Sequence, residues 1–220
     1  MKAHSINGSK IWNSLADGTV RAEGLVAQAV GRPALLPQIF AGLEQPKARV
    51  KFGCAKVLLL ASESSPKTIL PYWEQLTARM NHENKILQWS AMLTLANLAP
   101  VASLPIVEAL LPRLLAPIHG PVMITAANAI RSATGFALAH PSLAPWVSRK
   151  ILEVETGDYQ TAECRNVVIG HALQMLDRLM PLLKDKEPVL QFAQRQLQNS
   201  RPATRRRAQA FVSKHNRPRE

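Results

Sequence analysis

Along the 220 residues, apolar positions return every three or four residues, and no stretch alternates as a strand would. The spacing predicts an all-α chain. Inside the helical pattern, Leu35-Leu36-Pro37 is echoed by Leu70-Pro71, Leu110-Leu111-Pro112 and Leu143-Ala144-Pro145. An interior proline removes a backbone hydrogen bond and costs a helix ~3 kcal/mol. Four such prolines at one phase mark a repeated structural unit.

Turn residues divide the chain into about six helical hairpins of ~30–40 residues, the period of a solenoid. The units fall at 9–31, 33–63, 66–99, 103–139, 141–180 and 186–215, within one repeat domain over 1–220 that ends in a basic tail at 216–220. Asp17-Gly18 and His119-Gly120 supply turns, Gly31 is placed to close a helix in a left-handed cap, and Ser65-Pro66 reads as an N-cap followed by proline. The second helices align with one another. Val20, Val50, Leu87, Met123, Cys164 and Thr204 share one phase, followed four positions later by Gly24, Cys54, Ala91, Ala127, Val168 and Ala208. Positions i and i+4 share a face, so small residues recur where a neighbouring helix would press closest. One hairpin cannot bury such a stripe alone, but stacked hairpins can.

The prolines at 37, 71, 112 and 145, with basic residues near the second-helix starts at Arg21, Lys51, Arg165 and Arg205, resemble the HEAT-repeat (armadillo-like) family over nearly the whole chain. The resemblance implies a right-handed α-α superhelix with proline-bent first helices. It also implies a ladder in which an acid of the preceding turn, here Asp17 or Asp158, pairs with the base. Gln88 and Ile124 replace the base in the middle units.

Composition agrees with helix-on-helix packing: 47% of residues are apolar and only 5% aromatic. The first ten residues are polar and lack the apolar core of a signal peptide. The apolar run over 100–117 is interrupted by Glu108, Arg113 and four prolines, short of the ~20 uncharged residues of a membrane span. A soluble, cytoplasmic protein is expected. Cys54 and Cys164 lie far apart and read as buried free thiols.

Sites for chemistry are sparse. There is no phosphate-cradling glycine loop and no paired-cysteine or H-E-x-x-H metal spacing. His171 shares a helix face with Cys164, but no third ligand can be named, so it reads as a hydrogen-bonded core histidine. Glu153, Glu155, Asp158 and Glu163 straddle a loop and read as structural, acids near a helix start complementing its dipole. Neither a cofactor nor a metal is expected, and no nucleophile–base pair suggests an enzyme.

Charge alters the picture more. The net charge is +12, and residues 181–220 carry 10 bases against 3 acids. Such a field attracts polyanions. Off the core stripe, Lys51, Phe52, Lys56, Lys85, Trp89, Asn128, Arg131, Arg165 and Asn166 are placed on the concave face, as candidates for a partner surface. Phe52 and Trp89 either stack there on a ligand or turn inward. The expected function is a non-catalytic adaptor or scaffold that binds a protein or peptide on that face. The alternative is a nucleic-acid-binding protein that uses a basic groove and Arg201, Arg205, Arg206, Arg207 and Lys214 of the last helix. A third reading follows from the similarity of HEAT-like folds to alkylpurine DNA glycosylases. It lacks their Trp-Asp neighbourhood: Trp73 precedes Glu74, and Trp89 precedes Ser90.

Overall fold

The computed structural model describes residues 8–215, which form α-helices joined by short 3-10 segments and tight turns, with no strand among them. The fold is all-α. The chain divides into two compact units, Met1–Ala102 and Ser103–Glu220. Arg217 and Arg219 of the basic tail lie outside the described residues.

In the first unit the helices are α1 (Gly8–Asp17), α2 (Ala22–Gly31), α3 (Leu36–Gly42), α4 (Ala48–Ser64), α5 (Pro66–Ile69), α6 (Trp73–Arg79) and α7 (Lys85–Asn97). α2, α4 and α7 lie side by side, while α3 backs α4 and α6 backs α7. Leu36, Ile39, Leu58, Leu87, Met92 and Leu95 fill the space between the layers. Asn84 starts α7 by accepting the N–H groups of Ile86 and Leu87 on its side chain, which satisfies two of the donors a helix start leaves open. At Gly42 a side chain would run into the Cys54 sulfur, so glycine is what lets α3 close on α4.

The second unit holds α8 (Leu104–Leu115), α9 (Met123–Ala139), α10 (Ala144–Leu152), α11 (Ala162–Leu179), α12 (Glu187–Arg195) and α13 (Pro202–His215). Three hairpins repeat here: α8 backs α9, α10 backs α11 and α12 backs α13, with α9, α11 and α13 packed in a row. Phe136, Ile130, Val147, Leu176 and Phe192 are wholly buried. Thr161 caps α11 by accepting the Cys164 N–H. The connection before α11 is pinned to the turn before α9. The Asp158 N–H donates to the His119 carbonyl at 2.7 Å, and the buried Tyr159 hydroxyl donates to the Ile118 carbonyl.

The prolines interrupt the first helices in three of the four places expected. Pro37 and Pro145 fall in the first turns of α3 and α10, each after a 3-10 segment, and Pro71 sits in the 3-10 segment between α5 and α6. There the missing N–H has no helical partner to lose. Pro112 differs and stays inside α8.

Several details depart from the sequence expectation. Gly31 is helical and the chain turns at Arg32, so the left-handed glycines are Gly18 (φ 74°) and Gly120 (φ 101°). Ser65 does not cap the backbone; its hydroxyl meets that of Thr68 at 2.8 Å. The common phase of the second helices holds at Val50, Cys54, Leu87, Ala91, Val168, Thr204 and Ala208, all buried. It fails in α2, where Ala22, Leu25 and Ala29 are buried and Gly24 is exposed. It also slips by one in α9, where Ala126, Ala129, Ile130 and Ala133 pack inward and Ala127 turns partly outward. The acid–base ladder does not form among the described residues. Arg165 donates through Nε to the Gly157 carbonyl at 3.1 Å rather than to Asp158, because the loop folds back toward His119. No helix among the described residues is long and apolar enough to cross a membrane.

Candidate functional site

In the second unit the outward faces of α9, α11 and α13 enclose two open grooves. The first, of about 400 Å3, lies between α9 and α11. Ala127, Asn128 and Arg131 line it from one side, and His171, Gln174, Met175 and Arg178 from the other. The second, of about 250 Å3, lies between α11 and α13, with Leu173, Gln174 and Asp177 facing Arg207, Ala210, Phe211 and Lys214. Gln174 borders both, so the grooves flank α11 with that side chain as a common wall.

Helical periodicity explains the lining. On α11, His171, Gln174 and Arg178 are spaced by three and four and therefore share a face, as do Asn128 and Arg131 on α9. Gly170 allows the close approach of α13: a side-chain carbon there would meet Arg207 Nη1 and Thr204 Oγ1, each at 2.9 Å. Arg207 is thereby laid beside His171. Burial, then Arg207 and Arg201, holds the His171 imidazole below its usual pKa, so the ring is neutral near pH 7 and the positive charge of the face comes from guanidinium groups.

The charges along this face are unequally compensated. Lys214 donates to both oxygens of Asp177 at 2.9 Å, and His215 meets Asp177 at 2.6 Å. Arg201 pairs with Glu163 at 2.7 Å, and Arg205 donates to the Asn199 carbonyl at 2.9 Å. No carboxylate among the described residues pairs with Arg131, Arg178, Arg206 or Arg207. Of the five bases assigned to the last helix, then, Arg205, Arg206 and Arg207 have no carboxylate partner among the described residues, and of these Arg205 is tied to a backbone carbonyl.

The remaining candidates are distributed as follows. Asn128 and Arg131 belong to the first groove, Asn128 donating to the Ile124 carbonyl at 3.0 Å. Asn166 is consumed by structure: it donates to Ser200 at 2.9 Å, accepts from Asn199 at 3.0 Å, and its carbonyl accepts from Thr204 at 2.7 Å. Arg165 is likewise tied to Gly157. In the first unit Lys51, Phe52 and Trp89 are half-buried, and Lys85 donates to Gln88 at 3.2 Å. Lys56 pairs with Glu23, whose carboxyl its hydrogen bond holds below the usual range. The groove residues that sequence reasoning missed are Gln174, Arg178 and their neighbours in the C-terminal half of α11. Their signal was the three-and-four spacing continued from His171.

Groups with potential chemistry are otherwise engaged. Burial pushes the Cys54 thiol up to about 12, which keeps it protonated and unreactive. Cys164 is half-buried rather than fully enclosed. Glu153 pairs with Lys150 at 2.8 Å, Glu155 with Arg195 at 2.6 Å, and Glu163 with Arg201. The described residues contain no group of three side chains placed to hold a metal ion.

No family model matches the chain, and no curated protein sequence does. Two crystal structures of engineered proteins, both Northeast Structural Genomics Consortium targets, are similar in fold. One is 13% identical with a TM-score of 0.54, covering 96% of this chain and 92% of that one. The other is 15% identical with a TM-score of 0.51, covering 96% and 93%.

Proposed function

We propose that the chain is a non-catalytic adaptor of the HEAT-like helical-repeat kind, and that the row of α9, α11 and α13 takes a protein or peptide partner. The observation that carries this reading is the pair of open grooves on either side of Gln174, bordered by three arginines without acidic partners among the described residues. Grooves lined by second helices offer a long partner polar anchors and small apolar seats together. The engagement of Glu153, Glu155, Glu163 and Cys54 in structure supports the non-catalytic part.

A photo-crosslinking amino acid at position 174 of the full chain tests it in extract of the source cells. A nuclease-resistant protein adduct that unlabelled chain competes away is expected, with none from the same probe at the exposed Arg149 of α10. Equal labelling from both positions defeats the reading. The nucleic-acid alternative draws on the same unpaired Arg131, Arg178, Arg206 and Arg207, and predicts a nuclease-sensitive adduct with binding that falls steeply as salt rises.

A further inference from the structure

We infer that the two grooves flanking α11 together recognise an extended acidic segment, with its carboxylates held by Arg131, Arg178 and Arg207 and its apolar side chains seated between them. The inference rests on this face being the partner surface and adds the partner's chemistry. Three guanidinium groups face the grooves without a carboxylate among the described residues to satisfy them. A guanidinium presents a planar fork that matches a carboxylate through two parallel hydrogen bonds. Between the arginines the walls are small or apolar: Ala127 and Met175 in the first groove, Leu173 and Ala210 in the second. Isolated positive points separated by greasy seats suit a chain whose charges are themselves separated by apolar residues.

A nucleic-acid strand fits this arrangement less well. It presents a phosphate at every step and flat bases that bind best on exposed aromatic rings. The aromatic ring in the second groove, Phe211, is 4% exposed and packs on His215 with ring centroids 4.6 Å apart. Asp177 also borders that groove and sets a carboxylate in the path of a continuous polyanion. A segment that places an apolar residue opposite Asp177 avoids the clash. The row of three helices spans two interaxial spacings, about 20 Å in all. An extended peptide covers that distance with about six residues.

The test is fluorescence anisotropy on the full chain at low and moderate salt. The probes are a labelled peptide of about ten residues alternating Glu and Leu, its Lys-for-Glu counterpart, and an oligothymidylate of similar length. The Glu peptide binds and the Lys peptide does not. Arg131→Gln, Arg178→Gln and Arg207→Gln each weaken binding roughly two- to fivefold, as loss of one solvent-exposed ion pair implies. Lys47→Gln and Lys67→Gln, at exposed positions of the other unit, leave it unchanged, and circular dichroism shows each variant folded. Absence of Glu-peptide binding overturns the inference, as does binding indifferent to the three arginines. Tighter binding of oligothymidylate through the same arginines overturns it too and makes the face a nucleic-acid surface. A protein adduct from position 174 without Glu-peptide binding leaves the adaptor reading standing and removes only this one. Loss of the adduct removes both.

Discussion

Asp177 sits where the last helix docks, and it holds two bases at once. Burial of its carboxyl works to raise the pKa, but the hydrogen bonds and charges of Lys214 and His215 outweigh it and leave the group below its ordinary value of 3.8. A carboxyl depressed in the folded state adds stability that is complete above the unfolded pKa and is lost as pH falls through the folded one. Docking of the C-terminal end of α13 therefore weakens below about pH 4, where the unfolded carboxyl protonates. Asp177→Asn should lower stability at neutral pH in urea unfolding and flatten this acid side of the profile, its difference from the parent shrinking as pH falls below the unfolded carboxyl's value. A profile identical to the parent would mean that the pair contributes nothing. Single residues also show what periodicity can and cannot locate. Asn128 and Arg131 were legible because an exposed stripe on α9 stays exposed. Arg165 and Asn166 were not, because the first turn of α11 lies under the 157–161 connection and the segment around Asn199, whose backbone and amides take up those side chains. A helical pattern distinguishes inner from outer faces and is silent on which part of the outer face a loop covers.

Among the elements, the prolines give the sharpest test. In α3 and α10 each occupies a first turn, where it costs little, whereas Pro112 lies inside α8 and deprives the Glu108 carbonyl of its helical donor. Because Pro112 is exposed, alanine there fits without repacking. Pro112→Ala should raise stability by about 2 kcal/mol, the restored helix term less the entropy gained by the unfolded chain. Denaturant unfolding of the full chain reads this directly, and no gain would show that α8 has accommodated its proline by other means. Most helix boundaries were legible, since turn and cap residues are local. The phase of α9 was not: its Ala-rich sequence offers nearly the same small side chains one position apart, so tertiary packing chose between them.

For the whole molecule, the charge of +12 looked like a property of its C-terminal end. The folded chain redistributes it. Arg195, Arg201 and Lys214 are offset by acids some forty residues earlier in sequence, while Arg131, Arg178 and Arg207, which no acid among the described residues offsets, stand along the α9–α11–α13 row. Ion pairs between neighbouring helical hairpins are invisible to a count along the chain, because the partners meet only once the hairpins pack.

The tether between Tyr159 and the Ile118 carbonyl has a consequence at the opposite extreme of pH. Burial pushes this phenol up to about 12 from an ordinary value of 10. A raised phenol contributes stability below pH 10 that drains away as alkali carries the solution through the folded value. A phenolate could no longer donate to that carbonyl, and its charge would be buried, with the nearby Arg165 offsetting only part of the cost. Burial raises the Tyr72 phenol as well, so ultraviolet titration of Tyr72→Phe should show the remaining tyrosine ionising late and together with loss of helix, making Tyr159 a built-in optical reporter of when the 103–215 unit comes apart in base.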